Sequence, residues 1–265
     1  MKILRDFIFL LAIFGAVWIV FTKWNPFDGD LPIELITIEQ EEQLGEKMIE
    51  MMSDNPSWEV NSSFADTAIN IIANRLLDSM GLTDYDYHFT LVESSEVNAF
   101  ALPGGNIMVY TGLIDFSESP NEVAAVLAHE IGHVEQKHVV DRILKEFSLG
   151  ILFTVIAGGD AVILQDIFRS LISAKFNRSQ EEDADDFALR LLEKSKIRPS
   201  HMASFFKRLK AESGDLDESL EPLMSHPALN SRIKKSYEYQ LKEGFEDLEF
   251  DLDWEKVKLG LNQAS

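Results

Sequence analysis

The chain has 265 residues, 46% of them hydrophobic, enough to bury a full core and best suited to one sizeable domain with an appendage. Forty-five acidic against 24 basic side chains leave a formal net charge of −21, which repels phosphate backbones and argues against nucleic acid as a partner. Without cysteine there is no disulfide, no thiolate nucleophile and no Cys-ligated zinc, so any metal must be held by His, Asp and Glu.

Residues 1–24 stand apart. Phe7 to Thr22 carry no charge, Ile3 and Leu4 extend the run, and Lys2, Arg5, Lys23 and Trp24 stand ready to anchor it at the interfaces of a bilayer. Val17, Trp18, Val20 and Phe21 crowd its end with bulky side chains where a cleaved signal peptide needs small ones. The expectation is an uncleaved transmembrane helix with its N-terminus in the cytoplasm, because Lys2 and Arg5 precede it and acidic sequence follows. A polar linker, 25–34, then leads into a domain over 35–265.

Apolar residues at helical spacing predict amphipathic helices over 38–53 and 63–80, the second stopped by Gly81. Short strands follow at 87–92, 98–103 and 106–110, the last two joined by Gly104 and Gly105 in a hairpin. The next helix starts at Pro120 with Ser119 as its cap and Glu122 in the first turn. On it His129 and His133 lie about 40° apart around the axis and can point at one ion. Glu130 sits beside the first histidine, where it can reach a water on that ion without becoming a ligand. Two neutral imidazoles and a carboxylate base make up the zinc-hydrolase pattern HExxH. Gly132, costly in a helix by roughly 1 kcal/mol relative to Ala, is expected to admit another element close to the metal. His138, nine residues past His129, should fall on the opposite face of a continuing helix and serve only structure.

The apolar stretch 147–168, broken at Gly158, Gly159 and Asp160, has halves too short to span a bilayer. It is read as a buried helical hairpin under the catalytic helix. A further amphipathic helix over 177–194 offers the third metal ligand. Glu181 and Asp185 share one of its faces, so one can ligate while the other accepts a hydrogen bond from a ligand imidazole. Glu182, Asp183 and Asp186 are read as solvated surface, although spacing alone leaves the choice among the five acids open. No internal repeat is visible, and a short acidic tail follows residue 240.

The segments HEIGHV, NAFALPGGNIMVYTGL, NRSQEEDADDFA and SHPALNSRI, in that family's arrangement, resemble the M48 zinc metallopeptidases over roughly residues 35–240. The resemblance is nearest to single-domain members with a periplasmic catalytic domain. It implies an α+β zincin fold of the gluzincin type, mainly helical, with a small mixed sheet beside the HExxH helix. It also implies one Zn2+ per chain held by His129, His133 and Glu181, with Asp185 as partner of a ligand histidine, because Arg178, Glu181, Ala184 and Asp185 spell the family's R-x-x-E-x-x-A-D pattern. His226 and Arg232 become candidate catalytic residues, one above the metal and one stabilising an oxyanion. Asn98, Ala99 and Phe100 become the edge that pairs with substrate backbone. Glu130 is the expected general base for a zinc-bound water. Expected partners are unfolded or misfolded envelope proteins and the inner membrane, with the catalytic domain in the periplasm. Two other readings stand beside this one: a zinc-stabilised binding module whose fourth site is closed by His226, and a membrane-anchored scaffold without metal.

Overall fold

The computed structural model describes residues 33–53, 63–159, 161–172, 176–212 and 229–264. It divides into two units, Met1–Leu35 and Ile36–Ser265. The expected transmembrane helix over 1–24, most of the linker, and His226 lie outside the described residues. Within the first unit a single 3-10 turn, Ile33–Leu35, is described.

The second unit is mainly helical with a small mixed sheet. Helix α1 (Ile38–Ser53) buries Leu44, Met48 and Met52, one face at four-residue spacing. Thr37 and Gln40 cap its start reciprocally, Thr37 N donating to Gln40 Oε1 and Gln40 N to Thr37 Oγ1. Helix α2 (Ser63–Met80) buries Ala65, Ile69, Ile72 and Leu76 and stops at Gly81, whose φ of 96° few other residues adopt.

Strands β1 (His88–Val92), β2 (Ala99–Ala101) and β3 (Asn106–Tyr110) form one sheet in the order β1-β3-β2. β1 runs parallel to β3, with His88 opposite Asn106. β2 runs antiparallel to it, with Phe100 opposite Met108. Gly104 and Gly105, at φ 73° and 81°, make the turn between β2 and β3 that their pairing anticipated. A Cβ on Gly104 would come within 2.5 Å of the Glu42 Cα on α1, so the turn also needs glycine to let that helix pass.

After the short α3 (Thr111–Phe116) comes α4 (Pro120–Glu135), buried on every side from Pro120 to Val134. A helix without a solvated face is a core element. It is covered by α2, by β2, by α8 (Arg178–Lys194) and by α9 (Ser200–Glu212). Ser119 takes the extended cap conformation, but its side chain makes no cap hydrogen bond. Glu122 supplies the acceptor instead, receiving Glu118 N–H at 2.8 Å while both guanidinium nitrogens of Arg208 on α9 bind the same carboxylate. The anion thus lies in the first turn, where the helix dipole favours it.

At Gly132, α4 packs directly against the backbone of α8. A Cβ there would lie 2.9 Å from the Ala184 carbonyl oxygen and 3.1 Å from its Cα. Both are backbone atoms that cannot swing away. Gly132→Val is therefore expected to force the helices apart and to destabilise the domain by about 1–3 kcal/mol, read as a lower melting temperature. An unchanged melting temperature would show that the packing has slack.

One expectation needs correction. The apolar stretch folds as α6 (Leu149–Ile156) and α7 (Ala161–Ile172), yet it packs against α1 and α5 (His138–Glu146) instead of lying buried under α4. Leu152, Val155, Leu164, Ile167 and Phe168 are buried, whereas Phe153 is 43% and Val162 63% exposed. Each helix buries one face, so part of this apolar sequence remains outside. Among the described residues no single helix is long and apolar enough to cross a membrane.

The acidic segment after residue 240 packs onto the helices of this unit. Arg75 on α2 donates to the carbonyls of Leu248 and Glu249 and stacks on the Phe250 ring. Trp254 opens α11 (Trp254–Ala264) and donates its indole N–H to the Ser117 carbonyl. One guanidinium and one indole therefore tie a charged segment back onto the body, which net charge alone does not reveal.

Candidate metal centre

Two helices and a third contribute the site. On α4, His129 and His133 fall one turn apart, and their Nε2 atoms lie 3.1 Å from each other. Helix α8 starts where Asn177 and Gln180 form a reciprocal cap, which sets the rotation of the helix. Gln180 Nε2 also donates to Asp141 Oδ2 on α5 at 2.8 Å. With the start pinned, Glu181 faces α4, its Oε2 3.5 Å from His129 Nε2 and its Oε1 3.6 Å from His133 Nε2. All three side chains are buried, between 0% and 3% exposed as residues.

Metal bonds of about 2.0–2.1 Å at a tetrahedral angle place ligand atoms about 3.3–3.4 Å apart. The observed separations of 3.1, 3.5 and 3.6 Å bracket that value, and the three residues form a group able to hold a metal ion. Two imidazoles and one carboxylate suit a divalent transition metal. Glu130, one residue beyond His129, is buried at the same level of α4 and is not a member of that group.

Around the ligands lies a ring of partners. Asp185, one turn after Glu181, has Oδ1 3.0 Å from His129 Nδ1. A proton on Nδ1 serves that carboxylate and leaves the Nε2 lone pair facing the ligand cluster. Arg232 on α10 (Leu229–Tyr237) donates its Nε to both Asp185 oxygens at 3.0 Å and its Nη2 to Oδ1 at 2.7 Å. Its Nη1 lies 3.3 Å from Glu181 Oε2, and its guanidinium covers the Phe206 ring. Nη2 is also 3.0 and 3.1 Å from the two nitrogens of His129. A nitrogen nearly equidistant from both cannot lie along either lone pair, so Asp185 is its directed partner.

These charges set the titration of the site. Burial and Arg232 press His129 toward its neutral form, but hydrogen bonds to Asp185 and Glu181 outweigh them and raise its pKa to about 9. Burial works against the Asp185 carboxylate, yet Arg232 and His129 hold its pKa down at about 2. Burial pushes His138 below the ordinary imidazole range.

His138 does not occupy the far face of a continuing helix. Helix α4 ends at Glu135, Lys137 takes left-handed backbone at φ 55°, and α5 begins at His138. The turn swings the ring back until its Nδ1 lies 3.0 Å from His133 Nδ1. No glycine, proline or asparagine announces that break, so the helical projection was continued too far. Phe176 also touches the site, stacked on His133 with centroids 3.9 Å apart. Its place was legible in principle, because the Asn177 and Gln180 cap marks it as the residue just before α8.

Asn98, Ala99 and Phe100 are buried at and before β2, on the side of the sheet where no further strand pairs among the described residues. The Asn98 carbonyl accepts from Tyr110 N at 3.0 Å, and Phe100 meets Tyr110 and Phe168 edge-on. Glu182 and Asp183 are exposed and Asp186 half-exposed; Glu182 pairs with Arg178 and Asp186 with Lys235.

Two imidazoles and a carboxylate converging from packed helices, with a buried glutamate beside them, define a mononuclear metal centre of the metallohydrolase class. The chain belongs to peptidase family M48, whose model matches residues 64–239. It is 28% identical over 213 residues to the beta-barrel assembly-enhancing protease of Yersinia pestis, an alignment covering 75% of this chain and 43% of that protein. It is 30% identical over 182 residues to the metalloprotease LoiP of Escherichia coli (strain K12), covering 66% and 69%. It is also 22% identical over 235 residues to the mitochondrial metalloendopeptidase OMA1 of Schizosaccharomyces pombe, covering 87% and 70%. The alignment thus takes in less than half the length of the beta-barrel assembly-enhancing protease.

Proposed function

We propose that this chain is a zinc-dependent endopeptidase of the gluzincin type that hydrolyses misfolded or mislocalised envelope proteins. The observation that carries the reading is the buried triad of His129, His133 and Glu181 at tetrahedral spacing, with Glu130 next to the first ligand. Zinc, when bound there, would acidify a water and polarise a peptide carbonyl. The protein's own groups do the rest. Asp185 holds His129 in one tautomer. Glu130 takes a proton from the water and returns it to the leaving amine, which balances the hydrolysis without a covalent intermediate. Arg232 and His226 are proposed to stabilise the oxyanion, and the free side of β2 at Asn98 to Phe100 to align an extended substrate.

The substrate class is drawn from the relatives, one of which bears a name tied to β-barrel assembly. A transmembrane helix over 1–24 would hold the chain in the inner membrane with its catalytic domain in the periplasm, close to such substrates. The full-length protein, purified in detergent, is expected to contain about one zinc per chain and to cleave an unfolded protein such as casein. Chelation should abolish cleavage and added zinc should restore it. Zinc without cleavage would favour the binding module, and absence of zinc from protein refilled under metal would overturn the reading.

A further inference from the structure

We infer that His138 is a positioning residue for the metal ligand His133, accepting the Nδ1–H of that ring and thereby holding its Nε2 toward the metal. The inference rests on the proposed zinc reading and deepens it. The two Nδ1 atoms stand 3.0 Å apart, within hydrogen-bond distance, and both rings are buried. A hydrogen bond between two imidazole nitrogens needs one donor and one acceptor. His133 must keep the Nε2 lone pair for the cluster it shares with His129 and Glu181, so its proton belongs on Nδ1. His138 is then the acceptor, neutral, with its own proton on Nε2.

Several features hold this geometry. The rings meet at 66° with centroids 5.1 Å apart, an arrangement in which the edge of one can address the edge of the other. Phe176 stacks on the face of His133 at 3.9 Å and lies 6.1 Å from His138, restraining the ligand ring against rotation. The left-handed turn that delivers His138 is anchored from α1, where Glu41 Oε1 accepts Lys137 Nζ at 3.2 Å and Glu41 Oε2 accepts the Tyr85 hydroxyl at 2.9 Å. The two ligand histidines are therefore supported differently. His129 has an anionic partner in Asp185, whereas His133 has a neutral one, which orients its ring without adding a further negative charge to the site.

The test compares full-length wild type with His138→Leu, which removes the acceptor, and His138→Asn, whose Oδ1 can replace Nδ1. Zinc affinity is measured by competition with a chromogenic chelator, the ligand field by the visible spectrum of the cobalt-substituted protein, and folding by metal-free melting temperature. His138→Leu is expected to bind zinc about 10–100-fold more weakly with an altered cobalt spectrum, and His138→Asn to restore most of both. Equal affinity of wild type and His138→Leu, or equal losses in both variants, would overturn the inference while leaving the zinc site intact. Should His138→Leu melt early, His138→Asn decides alone: a wild-type cobalt spectrum supports the role and a changed one rejects it. A wild-type protein that binds no zinc would overturn the parent reading, and this inference with it.

Discussion

Glu130→Gln is expected to lower peptide hydrolysis by about 10²–10⁴-fold while zinc content and melting temperature remain at wild-type values. Gln matches Glu in size, so the buried position on α4 stays filled. Its amide cannot take a proton from water at neutral pH. Glu181→Gln provides the contrast, because an amide is a poorer metal ligand than a carboxylate and that variant should lose zinc together with activity. Measuring metal content and casein cleavage on both variants separates base from ligand. Retained cleavage by Glu130→Gln would assign the base elsewhere, and loss of zinc from it would make Glu130 part of the metal's support.

Arg232→Met is expected to destabilise the domain by about 3–5 kcal/mol, a large share of a stability that is typically about 5–15 kcal/mol in all. The guanidinium makes three contacts of 2.7–3.0 Å to Asp185 and a fourth of 3.3 Å to Glu181. Removing it leaves two buried carboxylates beside each other, facing His129 and His133 without their guanidinium partner. Coulomb repulsion and lost solvation then act in the same direction. Urea unfolding of Arg232→Met, Asp185→Ala and the double variant measures the coupling: the double variant should be more stable than the sum of the single losses implies. Bound zinc should rescue Arg232→Met in part, since a dication at the cluster offsets the same carboxylates. Additive losses would show that the pair does not act as a unit, and would leave Arg232 available for the proposed oxyanion role alone.

How much of the site could be read in advance differs from residue to residue. His129, Glu130 and His133 lie on one continuous helix, where a rotation of about 100° per residue relates their directions without knowledge of anything else. Glu181 and Asp185 share a face for the same reason. Spacing did not choose between them and their acidic neighbours; the family pattern did, and the contact of α8 with α4 places those two against the histidines. Gly132 was legible as an anomaly, and its partner proved to be the backbone at Ala184. His138 was misjudged because a left-handed Lys137 broke the helix without a sequence signal. Hairpin, strands and helix ends could be located because Gly81, Gly104, Gly105 and Pro120 impose local backbone choices.

By itself the sequence determined what local chemistry determines: the helical and strand periods, the turns, and two histidines with a carboxylate beside the first on one helix. Tertiary structure alone decided which distant groups meet. It joined Arg232 to Asp185 across 47 positions, Arg75 to the acidic segment near residue 248, and Glu41 to the turn that carries His138. The physical reason is range. Rotation about a helix axis and the geometry of a turn act within a few residues, whereas a buried charge must find its counter-charge wherever packing brings one, and sequence separation does not record that distance.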